Sequence, residues 1–274
     1  MNITETICYK EADGIELLAD LCLPETQGPH PLLLYIHGGG WHAGRRVELQ
    51  WFSGWADALL AAGVAVASVE YRFCTDGRSY RDPVEDCADA LRFFARNADR
   101  WALDPTRVVL GGISAGAHLS MMVAFAGEQF GEQTPFAPVR GVVALSGPTD
   151  FTRIRYTDPG MVPCMEAIMS GKAPYDPAIM RAASPLTWLK ELPMQAYLPP
   201  ILAIHGACDA LVDPKQPVWI AEEYARRGGS FRLITVENAP HVFAQAKPGS
   251  DPSMSFAEIQ EEAANFTLER LCNR

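Results

Sequence analysis

Three residues of this chain have side chains suited to acyl transfer, and each follows an apolar, strand-like run. Ser114 lies in Gly112-Ile113-Ser114-Ala115-Gly116, which has the form G-x-S-x-G. The run Arg107-Val108-Val109-Leu110 precedes it, and a small-residue, Met-rich helix to Phe125 is expected after it. A sharp strand-to-helix turn of that kind holds a serine in a strained conformation and pushes its hydroxyl out above the sheet. The helix N-terminus beneath it favours developing negative charge.

A serine nucleophile needs a base, and the base needs an orienting acid. Ile201 to Ile204 runs into His205-Gly206-Ala207-Cys208-Asp209, and Phe231 to Val236 runs into Glu237-Asn238-Ala239-Pro240-His241. Asp209 and His241 therefore both lie just past a strand, in the chain order serine, acid, histidine that one class of triad uses. Four nearby residues compete. Asp213 is one turn beyond Asp209 and reads as the cap of a helix starting at Pro214. His205 precedes the acid and reads as a structural hydrogen-bonding residue. His118 lies inside the helix after the serine, where it would pack or bond locally. Ser146 ends a strand in Leu145-Ser146-Gly147-Pro148 without the turn pattern.

Acyl transfer also needs donors for an oxyanion. His37-Gly38-Gly39-Gly40 follows a buried strand, and glycines there let main-chain N–H groups approach a substrate closely. The expected donors are Gly39, Gly40 and the N–H of Ala115; losing one such donor costs roughly 3 kcal/mol of transition-state stabilisation. Trp41, next to the glycines, is a candidate pocket residue.

These residues need a scaffold that brings strand ends together. Ile3 to Tyr9 and Ile15 to Leu23 read as a hairpin turning at Ala12-Asp13-Gly14. Pro31 to Ile36, Val64 to Val69, Arg107 to Leu110, Val139 to Leu145, Ile201 to Ile204 and Phe231 to Val236 read as buried strands. Helical patterns fall at 47–62, 83–97, 214–227 and 252–271. Apolar strands alternating with helices predict an α/β fold whose sheet of about eight strands is mostly parallel and covered on both faces. In such sheets, active sites form at the carboxyl ends of the strands. Residues 150–198 break the rhythm and are expected to form a small lid or cap insertion in a single domain spanning 1–274. Met161, Met165 and Met169, with Ile168 beside them, repeat there at helical spacing. That stripe reads as ordinary packing that could also face a substrate.

Hydrophobic residues make up 48% and charged residues 20% of the chain, the balance of a globular protein. A net charge of −10 repels phosphate backbones, so no nucleic-acid partner is expected. The pair Arg45-Arg46 reads as a solvated loop or helix end. No apolar run is long enough for a membrane span, and Met1-Asn2-Ile3-Thr4-Glu5 does not read as a signal peptide. The seven cysteines show no metal-ligand spacing and read as mostly buried thiols of a cytoplasmic protein. No cofactor or metal is expected, and a homodimer is compatible with the sequence.

A rival reading takes Gly38-x-Gly40-x-x-Ala43 with Glu70 as a dinucleotide fingerprint. It places Trp41, Gly44 and Arg45-Arg46 where a tightly packed helix should start, and it leaves Ser114, Asp209 and His241 unexplained. Glu70 reads better as a structural partner of the glycine loop or of Arg72. The chain has neither G-x-x-x-x-G-K-[ST] nor H-E-x-x-H.

With these residues in hand, the chain resembles the α/β-hydrolase superfamily, in particular the HGGG-type esterases related to hormone-sensitive lipase. The likeness rests on His37-Gly38-Gly39-Gly40-Trp41, Glu70-Tyr71-Arg72, Asp104-Pro105-x-Arg107, Gly112 to His118, His205-Gly206-x-x-Asp209 and His241-x-Phe243. The Trp after the glycines is similar to the compact branch, and with 36 residues before His37 no large N-terminal cap is expected. Ala117 stands where a second glycine is common. Asp213 stands where Val-Pro is usual, which keeps it open as the alternative acid. The resemblance implies a serine carboxylesterase acting on small-acyl, small-molecule esters without a cofactor. It leaves open an arylformamidase acting on N-formylkynurenine and a carbohydrate acetyl or feruloyl esterase. A prolyl-oligopeptidase-type peptidase would need a partner domain, and a non-catalytic binding protein of this fold would typically have lost a triad member.

Overall fold

A strand whose successive residues are all apolar must be covered on both faces, because neighbouring side chains point to opposite sides. The computed structural model, which describes residues 2–132, 135–153, 161–169, 176–244 and 249–272, shows this arrangement. An N-terminal hairpin, β1 (Glu5–Ala12) and β2 (Ile15–Cys22), turns through Asp13-Gly14 with φ of 54° and 75°. It is followed by β3 (His30–Ile36), α1 (Ser53–Ala61), β4 (Ala65–Val69), α2 (Arg81–Arg96), β5 (Leu103–Ile113), α3 (Ala115–Ala126) and β6 (Gly141–Leu145). Three short helices come next, α4 (Met161–Ile168), α5 (Pro177–Ala182) and α6 (Pro185–Glu191), then β7 (Ile201–Gly206), α7 (Gln216–Arg226), β8 (Phe231–Val236) and α8 (Phe256–Cys272).

The eight strands form one sheet in the order β1-β2-β4-β3-β5-β6-β7-β8. β2 runs antiparallel to both neighbours, and every other pair is parallel. The mostly parallel eight-stranded sheet is the one the sequence pattern predicts. Leu32, Leu34 and Ile36 of β3 join one apolar cluster with α2 and α3, while Leu33 and Tyr35 join the other with α1 and α8. After β3 the chain adds β4 on one side and β5 on the other, so strand order switches direction between β3 and β5. A switch point of this kind opens a crevice at the carboxyl ends of the strands.

Two regions depart from simple expectation. The helical pattern 47–62 splits into a 3-10 segment, Arg46–Phe52, and α1. Leu49 and Phe52, both buried, are three residues apart, which suits three residues per turn. The stretch 150–198 holds α4, α5 and α6 and no strand among its described residues; 154–160 and 170–175 lie outside them. Met161, Met165 and Met169 are buried in the cluster that includes α2 and α3.

Candidate active site

Ser114 sits between β5 and α3 with φ 54° and ψ −117°, a region an L-residue adopts only under constraint. The constraint is steric. A Cβ on Gly116 would stand 2.0 Å from the Ile36 carbonyl oxygen, and one on Gly112 would stand 2.3 Å from the same atom. Only glycines let the turn press against the end of β3. Ser114 N–H donates to Leu145 O at 2.7 Å, which ties the turn to β6 on its other side.

The three residues singled out by type and spacing meet above these strand ends. Ser114 Oγ–H donates to His241 Nε2 at 2.9 Å, and His241 Nδ1–H donates to Asp209 Oδ2 at 2.7 Å. The His241 side chain is 15% exposed and that of Asp209 is fully buried, so the imidazole is open to solvent while the carboxylate is shielded. Burial opposes ionisation of Asp209. Hydrogen bonds from His205 and His241 outweigh it and hold the carboxyl down to about 2. The other oxygen, Oδ1, accepts from the N–H groups of Leu211 and Val212.

The competing residues have other partners. Asp213 is exposed and accepts from Lys215 N–H in the turn before α7; the helix starts at Gln216 and not at Pro214, and its N-cap is Lys215, so Asp213 is not the cap expected from sequence. His205 Nε2–H points at both Val212 O, 2.9 Å away, and Asp209 Oδ2, 3.1 Å away, so it also props the acid. Ser146 Oγ–H donates to the His241 carbonyl oxygen at 2.9 Å. That support escaped the sequence reading, since nothing in Leu145-Ser146-Gly147 says which loop lies across from it.

The glycine loop closes the crevice from β3. Gly39 and Gly40 have φ of 104° and 60°. The Tyr71 hydroxyl lies within reach of the carbonyls of His37, at 3.1 Å, and Gly38, at 3.0 Å. With those carbonyls held on the inner side, the loop is anchored from β4. Ala115 is the first residue of α3, where a main-chain N–H has no partner within the helix. Glu70 pairs with Arg46, and Arg72 instead forks onto Asp86. Arg46 also meets Asp20, so this half of the Arg45-Arg46 pair is an ion-paired anchor and not a solvated end.

Ser114 and His241 open into a cavity of about 850 Å³. Gly38, Gly39 and Gly40 form one wall, Pro163 and Cys164 of α4 another, and Trp51, Phe52 and Phe256 an aromatic side. Phe52 and Phe256 pack with ring centroids 5.3 Å apart. Trp41, the expected pocket residue, is absent from this lining: it is 2% exposed, and its indole points inward onto His118 and Phe151. Trp51, 65% exposed, takes the place at the cavity. Glu48 lies three residues before it, on the same face of the 3-10 segment, and also lines the cavity. The methionine stripe of α4 contributes nothing to the lining. Among the described residues, one trio with metal-donor atoms in mutual reach exists, Cys8, Glu11 and Glu16; it is exposed, and none of the three lines this cavity. No helix among the described residues is long and apolar enough to cross a membrane.

The BD-FAE family model matches residues 19–224, a span that holds Ser114 and Asp209 and stops before His241. The chain is 30% identical over 211 residues to the non-reducing polyketide synthase ausA of Aspergillus calidoustus, covering 72% of the chain and 8% of the synthase. It is 32% identical over 210 residues to the non-reducing polyketide synthase adrD of Penicillium roqueforti, again covering 72% of the chain and 8% of the synthase. The chain thus spans a small part of the length of these curated relatives. Among solved structures, the apo form of Thermogutta terrifontis esterase 2 superposes with a TM-score of 0.78 at 20% identity, over 98% of this chain and 96% of that one. The propionate-bound form of a thermophilic esterase from the same species gives 0.77 at 21% identity, with the same coverage. These likenesses show a shared fold.

Proposed function

The chain belongs to the BD-FAE family of α/β-hydrolase-like esterases, and from that premise we propose that it is a serine carboxylesterase acting on small-acyl esters. The observation that carries the reading is the relay of 2.9 and 2.7 Å from a strained Ser114 through His241 to a buried Asp209. Ser114 Oγ attacks the ester carbonyl while its proton passes to His241 Nε2. Asp209 balances the imidazolium through the Nδ1–H bond. The tetrahedral oxyanion takes the N–H groups of Gly39, Gly40 and Ala115. Collapse expels the alcohol, which takes the proton back from His241, and leaves Ser114 acylated. Water then attacks the acyl carbonyl, giving its proton to His241. The second collapse releases the acid and restores the serine hydroxyl.

The short acyl side is supported by the propionate- and butyrate-bound esterases that share this fold. The cavity is larger than a short acyl group needs, and its aromatic side fits a bulky or aryl remainder. That aromatic side also favours a second reading, hydrolysis of N-formylkynurenine, which needs the same three residues. Cys8, Cys22, Cys74, Cys87, Cys208 and Cys272 are thiols, which supports a reducing, cytoplasmic setting. The test is turnover of p-nitrophenyl esters of increasing chain length, acetylated sugars and N-formylkynurenine by the wild type and by Ser114→Ala. Loss of turnover in Ser114→Ala is expected, and wild-type rates in that variant would end the reading.

A further inference from the structure

His118 takes no part in the mechanism above, although it is fully buried one turn beyond the nucleophile. Its main-chain N–H donates to the Ser114 carbonyl at 3.0 Å. Both ring nitrogens are also used. Nδ1 accepts from Trp41 Nε1–H at 3.1 Å, and Nε2–H donates to Ala183 O at 2.7 Å. An indole N–H can only donate and a carbonyl can only accept, so the partners require the neutral ring with its proton on Nε2. Burial favours the same state and holds the ring down to about 4.

The two partners belong to different parts of the site. Trp41 directly follows Gly40, and its φ of 62° is costly for a bulky residue. Its carbonyl accepts from Cys74 N–H at 2.8 Å, and its indole stands edge-on to His118 with centroids 5.1 Å apart. Ala183 closes α5, in the stretch inserted between β6 and β7. Neither His118 nor Trp41 lines the cavity.

We propose that His118 is a positioning residue: through Trp41 it holds the glycine loop in register with Ser114, and through Ala183 it ties the inserted helices to the same point. The proposal rests on the esterase reading above. The bond to Trp41 bears on the chemical step, because it sets the distance between the donors of Gly39 and Gly40 and the nucleophile. The bond to Ala183 bears on the inserted stretch, which supplies Pro163 and Cys164 to the cavity.

Three variants separate these roles. Asparagine places its amide oxygen near the position of Nδ1, and glutamine places its amide nitrogen near that of Nε2. His118→Asn therefore keeps the acceptor for Trp41 and drops the bond to Ala183, while His118→Gln does the reverse. Trp41→Phe removes the donor and keeps an aromatic ring. With p-nitrophenyl acetate, Trp41→Phe and His118→Gln should lower kcat by about 10- to 100-fold, the cost of misplaced oxyanion donors, with KM changed by less than about threefold. His118→Asn should restore kcat to within about threefold of wild type. Tm falls in all three, each having lost a buried hydrogen bond, so a merely structural role predicts equal Tm losses with kcat per folded molecule unchanged. That result would overturn the proposal. The Trp41→Phe/His118→Gln double variant should lose no more kcat than the worse single variant; multiplied losses would also overturn it. Turnover by the wild type and its loss in Ser114→Ala test the esterase reading separately. If they fail, the proposal falls with that reading; if they hold and kcat does not separate the variants, the coupling alone falls.

Discussion

Gly206 closes β7, and its missing side chain sets the position of His241, the proposed base. A Cβ there would stand 2.3 Å from the carbonyl oxygen of Ala239 and 2.5 Å from that of Pro240. These are main-chain atoms of the loop that carries His241, so no side chain can swing aside. A Cβ contact under 3.0 Å is essentially never tolerated, and relief needs a displacement of about 0.7 Å or more. Passed on to the imidazole, that shift stretches the 2.9 Å contact with Ser114 Oγ beyond hydrogen-bond reach. Gly206→Ala should therefore lower kcat by about 100-fold, since misplacements near 1 Å carry that cost. The assay is p-nitrophenyl acetate turnover per folded molecule, with near-ultraviolet circular dichroism to count folded protein. Gly54→Ala is the control: its Cβ would meet only the flexible side chain of Gln260, at 3.0 Å. Wild-type kcat in folded Gly206→Ala would refute the argument that the base is positioned by close main-chain approach.

The buried imidazoles predict an acid-sensitive fold. Burial holds His37 and His118 down to about 4 in the folded chain, below the ordinary 6.5, so the unfolded chain takes up protons first. Their contribution is complete above pH 6.5 and is lost on acidification towards pH 4, by about 1.4 kcal/mol per unit for each ring. Urea melts at pH 7 and pH 5 should show the loss, and His118→Asn should reduce its slope; equal stability at both pH values would contradict it. Asp209, held down to about 2, adds a smaller loss of the same sign at pH values below the ordinary 3.8. Asp209→Asn should lower kcat by about 10⁴-fold, as expected when an imidazole loses the partner that fixes its tautomer, while Asp213→Asn stays within about threefold. Similar losses in both would contradict the assignment of the acid. Trp51→Ala should raise KM for aryl esters by about tenfold and leave ethyl acetate kinetics and Tm unchanged, because the ring stands exposed at the cavity. Equal effects on both substrates would remove Trp51 from the alcohol side.

The meeting of Ser114, His241 and Asp209 was legible in the sequence because acyl transfer would dictate those residue types at strand ends. A serine flanked by glycines, with an acid and a histidine after later strands, leaves few other arrangements once the strands are parallel. The eight strands were legible for a related reason, since apolar runs such as Leu32 to Ile36 need cover on both sides. What stayed hidden depends on which side chain points where. Motif position favoured Trp41 as a pocket residue, yet its left-handed φ of 62° turns the indole inward. The pocket went to Trp51, which looks in sequence like part of an ordinary helix. Glu48 and Trp51, three residues apart, share a face in either kind of helix; the pattern of 47–62 does not say that this face turns to the cavity. Glu70 shows the same limit. Arg72, two residues away, is the partner expected from sequence, whereas Glu70 pairs with Arg46, 24 residues away, because the segment after the glycine loop lies against β4.

The identity of the acid shows how satisfied lone pairs decide what spacing leaves open. Asp209 and Asp213 are both just past β7, and sequence order favours neither. Asp209 commits Oδ1 to the N–H groups of Leu211 and Val212, which fixes the plane of the carboxylate. Oδ2 then has two remaining directions, filled by the Nε2–H of His205 and the Nδ1–H of His241. A carboxylate with four donors and no solvent stays ionised, in line with its depressed titration. Asp213 spends an oxygen on Lys215 N–H and turns to solvent, where a charge would be screened before it could orient a ring. His205, set aside at the sequence level as structural, is then part of what makes Asp209 the better acid. Replacing it should raise the carboxyl's titration towards the ordinary value and loosen the imidazole with it.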